Sequence, residues 1–156
     1  MIRDTTVESK KKFGYLAYLA TATRGLLGFS SKRFLIDVDG RQIQQHAVQV
    51  LLANCGALGT SGLRWGPDIA PDDGRIDLCL IRARSLVDYA GIGWSVLLGR
   101  QREEHRIRYI PIRHSARIRA RKPMPIQADG EIVGETPLNV EVVPGAIRVV
   151  VPESPG

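Results

Sequence analysis

The sequence predicts a mainly β fold of the α+β kind, one domain of short strands carrying two helices. Three observations lead there. Apolar and polar residues alternate over several short stretches, the period of a half-buried strand. Gly (16) and Pro (9) are frequent, and some fall in turn-forming pairs: Asp39-Gly40, Asp129-Gly130 and Pro144-Gly145. Only two stretches carry the spacing or capping signals of a helix. At 156 residues the chain is long enough to bury a core without staples.

The first helix is predicted over 9–27, where Phe13, Leu16, Leu19 or Ala20, Thr23 and Leu26 recur at three- and four-residue spacing. Lys10, Lys11 and Lys12 sit at its start, where the helix dipole disfavours cations. They fit either a solvated end or a contact with phosphate or another segment. From Arg33 the period becomes two. Phe34, Ile36 and Val38 alternate with Leu35, Asp37 and Asp39, Asp39-Gly40 spells a hairpin, and His46–Leu52 reads as the returning strand. Residues 54–66 form a glycine-bearing loop, Asp72-Asp73-Gly74 a further turn, and 77–83 a buried strand.

Ser85 with Asp88 three residues later has the capping-box form, so a second helix runs to about Leu98 and stops at Gly99. Its apolar residues leave little polar surface, which suits a packed or interfacial helix. Strands then follow over 105–112, 116–122, 125–128, 138–143 and 146–151, with Pro144-Gly145 turning the last hairpin. Neither apolar stretch, 13–29 or 86–98, provides the uninterrupted run of about 20 residues that a membrane span needs.

A composition of 44% hydrophobic and 24% charged residues is globular, and it sets aside disorder, collagen and coiled coil. Two cysteines form no disulfide framework, and residues 1–12 are polar where an export signal would be apolar. Both point to a reducing, cytoplasmic setting. Net charge is +6, concentrated in one region: nine basic residues against Glu103 and Glu104 between Arg100 and Lys122. Arg106 and Arg108, then Arg117, Arg119 and Arg121, alternate with other residues, so a two-stranded ribbon with an arginine face is predicted. That face fits a solvated edge, or a surface for anionic lipid or nucleotide phosphate. Nucleic acid is disfavoured, since Tyr109 is the only aromatic in the run and single strands bind by stacking.

Two acidic clusters are candidates for chemistry. Asp68, Asp72, Asp73 and Asp77 surround one turn, and carboxylates with turn carbonyls suit a hard cation such as Mg²⁺. Asp129 and Glu131 flank Gly130, a pair that can activate a hydroxyl if one member acts as general base. Each also fits a plain solvated turn. His46, His105 and His114 lack metal-ligand spacing. The sequence contains no G-x-S-x-G elbow, phosphate loop or G-x-G-x-x-G motif.

Taken in order, these pieces resemble the C-terminal half of the diacylglycerol kinase-like lipid kinases, which include sphingosine and ceramide kinases. The resemblance runs from Lys10–Tyr18 through the hairpin and glycine loop. Its strongest elements are Pro71-Asp72-Asp73-Gly74-Arg75-Ile76-Asp77-Leu78 and Gln127-Ala128-Asp129-Gly130-Glu131, and it reaches the 137–152 ending. It implies an antiparallel β-sandwich with two helical additions. It implies that Glu131 accepts the proton of a lipid hydroxyl with Asp129 assisting, and that Asp73 holds Mg²⁺ with the carbonyls of Ala70 and Arg75. The family's Gly-Gly-Asp-Gly-Thr nucleotide motif is absent from this sequence. The resemblance therefore places ATP on an N-terminal domain outside the chain and predicts no kinase activity from the chain alone. It also implies peripheral membrane association. The alternative reading is a non-enzymatic module that binds anionic membranes, and a homodimer is compatible with the residues.

Overall fold

The computed structural model describes residues 30–57, 64–66 and 68–150. The predicted first helix lies outside the described residues. The chain divides into two units, Met1–Ser30 and Ser31–Gly156, and the fold below is that of the second.

Nine strands and one α-helix are found among the described residues: β1 (Lys32–Val38), β2 (Arg41–Ala47), β3 (Gln49–Ala53), β4 (Ile76–Ile81), α1 (Leu86–Leu97), β5 (Ile107–Ile112), β6 (Ser115–Ala120), β7 (Pro125–Ala128), β8 (Glu131–Glu135) and β9 (Leu138–Glu141). A 3-10 turn spans Gln101–Glu103. They form a four-stranded sheet in the order β2-β1-β6-β9, a three-stranded sheet β3-β4-β5, and a separate pair β7-β8. Every pairing is antiparallel. This is the expected antiparallel β-sandwich.

The core lies between the two larger sheets. Phe34, Ile36 and Val38 of β1 and Ala116 and Ile118 of β6 meet Leu78 and Leu80 of β4 and Ile112 of β5. Ile36 sits opposite Ile43 on one side and Ile118 on the other, so three strands present one apolar row. Each fully buried aliphatic side chain contributes about 1.5–3 kcal/mol. β4 is covered on both faces, which accounts for its unbroken apolar run from Leu78 to Ile81. Its second face carries Asp77 and Cys79. Over it lie Trp65, whose carbonyl accepts from Tyr109 Oη at 3.0 Å, and Gly66. A Cβ on Gly66 would stand 2.7 Å from Ile69 Cδ1 and 3.1 Å from Tyr109 Cε1, so only glycine fits without displacement.

The β1–β2 turn uses Asp39 and Gly40 with φ of 49° and 81°, the left-handed pair a two-residue hairpin requires. The single strand predicted over 46–52 is in fact two. β2 ends at Ala47, and the chain passes to the other sheet at Val48, whose N–H donates to the Ile81 carbonyl at 2.8 Å. An unbroken valine- and leucine-rich stretch gives no local sign of such a corner.

α1 starts as expected. Ser85 Oγ accepts from Asp88 N at 3.1 Å, and Asp88 Oδ2 accepts from Arg84 N at 2.9 Å. It ends with Gly99 N bonded to the Val96 carbonyl and Arg100 N to that of Ser95, around Gly99 at φ 71°. It buries Ile92 and Val96 but leaves Leu86, Val87, Trp94, Leu97 and Leu98 exposed. The strand predicted over 146–151 is not formed in the described part, 146–150. Gly145 does turn at φ 67°, yet Ile147, Val149 and Val150 remain exposed. Strand propensity needs a ladder partner to be realised, and among the described residues this segment has none.

Candidate functional site

Asp129 and Glu131 sit at the tip of the β7–β8 hairpin. Asp129 and Gly130 take φ of 49° and 91°, the same two-residue turn as at Asp39-Gly40, and Glu131 opens β8 opposite Ala128. The base of the hairpin is clamped by Thr136, which donates its N–H to the Met124 carbonyl at 2.8 Å and accepts Met124 N on Oγ1 at 3.0 Å. Every residue of β8 is exposed, including Ile132 and Val133. Among the described residues neither carboxylate has an ion pair. The hairpin thus carries two exposed carboxylates at a two-residue turn, followed in β8 by the exposed Ile132 and Val133.

The second acidic cluster is held together by Arg75. Its N–H donates to Asp73 Oδ1 at 3.1 Å, its Nη2 donates to the Asp68 carbonyl at 2.9 Å, and its Nε lies 3.0 Å from Asp73 Oδ2 and 3.7 Å from Asp77 Oδ2. Arg102 pairs with the Asp68 carboxylate at 2.7 Å. Asp77 is buried, and desolvation pushes its carboxyl up against the opposing pull of Arg75. The Asp73 carboxylate stays partly exposed while paired with Arg75. No group of three or more His, Cys, Asp or Glu side chains is arranged for a metal among the described residues. No hydrogen bond or ion pair joins this loop to the Asp129–Glu131 hairpin among those residues.

The arginine ribbon is not formed. β5 and β6 follow each other in sequence but belong to opposite sheets, joined by Arg113-His114. Arg106 precedes β5 and is taken up by Glu104 in a two-pronged pair, Nε to Oε1 and Nη2 to Oε2, both 2.7 Å, and reaches Asp88 at 3.4 Å. Arg108 faces the sandwich edge, with Nη1 donating to Gln45 at 3.5 Å. Arg117 and Arg119 lie on β6 in the other sheet, opposite Asp37 and Leu35, with Arg121 just past the strand end.

Two carboxylates do more than sequence reasoning gave them. Glu104 is buried and also accepts from Ser95 Oγ at 2.9 Å; the Arg106 hydrogen bonds, with Ser95 helping, hold its carboxyl down at about 2. Asp39 accepts the N–H groups of Arg113, His114 and Ser115 at 2.8–2.9 Å, which lowers its carboxyl and ties the first hairpin to the sheet-to-sheet connection. Of the two cysteines, both expected to be small buried residues, only Cys79 is buried, its thiol pushed up to about 12 by desolvation, whereas Cys55 is exposed in the loop after β3.

No helix among the described residues is long and apolar enough to cross a membrane. The model of the YegS C-terminal NAD kinase beta sandwich-like domain matches residues 1–151. Two Staphylococcus aureus proteins, from strains JH9 and Newman, each named "Putative lipid kinase", are 25% identical over 148 residues, covering 90% of this chain and 46% of their own length. The chain thus spans about half the length of the curated relatives it matches. A diacylglycerol kinase from Bacillus anthracis strain Sterne shares the fold, with a TM-score of 0.65 at 23% identity over 89% of this chain and 47% of that one. With its sandwich, its acidic turns and a family match over nearly its whole length, the chain belongs to the YegS C-terminal NAD kinase beta sandwich-like domain family.

Proposed function

We propose that this chain is the acceptor-side half of an ATP-dependent lipid kinase, and that the Asp129-Gly130-Glu131 turn supplies the base that takes the proton from a lipid hydroxyl. The observation that carries the reading is the β7–β8 hairpin. Its two carboxylates are exposed and have no ion pair among the described residues, and Ile132 and Val133, next in sequence, are exposed too. A general base must be free to reach its substrate, and an exposed carboxylate at a hairpin tip is. Glu131 is assigned the proton and Asp129 the assisting role. The resemblance to diacylglycerol kinase-like enzymes supports a lipid acceptor, and the names of the relatives point the same way.

ATP is expected on a separate N-terminal domain, because phosphoryl transfer rests on positioning and charge neutralisation that one sandwich does not supply. Asp73 would hold Mg²⁺ together with the carbonyls of Ala70 and Arg75. One carboxylate with carbonyls and retained waters is an ordinary Mg²⁺ shell, and the bound ion would offset negative charge near the phosphates. The Arg75 guanidinium, already 3.0 Å from Asp73, competes for that carboxylate, so the site is a weak one. When the chain is supplied with an ATP-binding domain, Asp73→Ala should raise the Mg²⁺ concentration for half-maximal lipid phosphorylation at least about tenfold. An unchanged Mg²⁺ titration would make the loop a structural turn.

A further inference from the structure

The ends of three strands meet beside the start of α1. Gln45 and His46 of β2, Arg82 and Arg84 after β4, and His105 and Arg106 before β5 line an open hollow of about 560 Å³ there. Two of its cations are held in place by the fold. Arg82 N donates to the Arg106 carbonyl at 2.8 Å, and Arg82 Nη2 donates to the His105 carbonyl, which stitches the two segments together. Arg106 is fixed by the two prongs of the buried Glu104, both at 2.7 Å. Acceptors are scarce by comparison. Asp88 is the one carboxylate among the described residues that line the hollow, and it already accepts Arg84 N at 2.9 Å and lies 3.4 Å from Arg106 Nη1. Among the described residues neither Arg82 nor Arg84 has an ion pair. Arg108 adds a further cation next to the hollow, with Nη1 donating to Gln45 Oε1 at 3.5 Å.

Guanidinium groups gathered in this way repel until an anion enters. Their forks match phosphate oxygens two at a time, and imidazole and amide N–H groups can donate to the rest. The volume falls within the roughly 300–1,000 Å³ of small-ligand sites and exceeds what a bare phosphate fills, so a small ester group fits beside it. Cations held in place before the ligand arrives lower the ordering cost of binding. We infer that this hollow binds a small soluble phosphate monoester, with Arg82 and Arg84 gripping the phosphate oxygens and Arg106 set beside them by Glu104. A hollow between strand ends suits a compact dianion better than the singly charged diesters of a bilayer or a nucleic-acid backbone. It shares no residue with the Asp129–Glu131 hairpin or the Asp73 turn, so the inference is independent of the phosphoryl-transfer reading.

The test is an NMR titration of the isotope-labelled full 156-residue chain with methyl phosphate, a monoester, and with dimethyl phosphate, the matching diester. Methyl phosphate should shift the backbone signals of Arg82, Arg84 and Arg106, and its affinity should fall as salt rises. Dimethyl phosphate should bind at least about tenfold more weakly, having one charge fewer and two fewer free oxygens for the forks. Arg82→Gln and Arg84→Gln should each weaken methyl phosphate binding about tenfold. Arg119→Gln and Arg148→Gln, equal in charge change but outside the hollow, should leave it within about twofold. Among the described residues the Arg84 side chain makes no hydrogen bond or ion pair, so its replacement leaves the fold intact and the comparison decisive. No shift with methyl phosphate, equal losses from all four variants, or equal binding of the diester, which would point to a lipid or nucleic-acid backbone, would each overturn the inference.

Discussion

Glu104 shows how a side chain that reads as one charge among many can organise its surroundings. In sequence it is a minor counterweight to nine basic residues; in the fold it is buried and receives both prongs of Arg106. Its carboxyl is lowered from 4.5 to about 2, so the pair stabilises the fold fully above about pH 4.5, and that contribution is lost as pH falls toward 2. With Arg106 about a third exposed, the contribution is discounted to about 2 kcal/mol. Glu104→Gln should cost about that much at neutral pH and flatten the acid limb of a stability-versus-pH curve; an unchanged limb would sink the assignment. This site was hidden in the sequence because Glu104 and Arg106, two apart outside a regular strand, have no pattern that announces a pair. By contrast, Asp129, Glu131 and Asp73 stood out because turn chemistry is local: glycine at left-handed positions and carboxylates beside it are visible in the letters.

At the scale of elements, the local signals held and the non-local ones did not. The Ser85 cap, the Gly99 stop and the Asp39-Gly40 hairpin are each set by a few adjacent residues. β8 was overlooked as a strand because Glu131-Ile132-Val133-Gly134-Glu135 includes two glutamates and a glycine, and its pairing is irregular, with a bulge between Ile126 and Gln127. Residues 58–63 of the predicted glycine loop lie outside the described residues, and the close approach of Gly66 to Ile69 and Tyr109 needs the fold to be seen. Gly66→Ala should therefore lower stability by about 1–3 kcal/mol through overpacking. Gly93→Ala, in α1 with open space at its Cβ, should raise it by about 0.5–1 kcal/mol. Urea unfolding of both variants checks the contrast. A Gly66→Ala protein as stable as the unaltered one would contradict the close-approach account.

For the whole molecule, sheet membership was the illegible quantity. Period-two alternation says which residues share a face, not which sheet the face belongs to. The two-residue Arg113-His114 link looks like a hairpin and instead carries the chain between sheets, which scattered the predicted arginine ribbon and left its β6 half beside Arg33. The mainly β class was legible because β1 and β6 alternate buried and exposed residues, whereas the sandwich was implied only by the family resemblance. Its uncovered apolar residues, in β8, α1 and 147–150, lie where the described fold ends its own packing. The central claim, that the hairpin carboxylate is the base of a lipid kinase, is tested most directly by one rate. Lipid phosphorylation is measured for the chain supplied with an ATP-binding domain, alongside Glu131→Gln and, as a control on the same hairpin, Glu135→Gln. The account predicts a fall of about 10²–10⁴ for Glu131→Gln and a near-normal rate for Glu135→Gln. A Glu131→Gln rate within about twofold of the unaltered protein would contradict it.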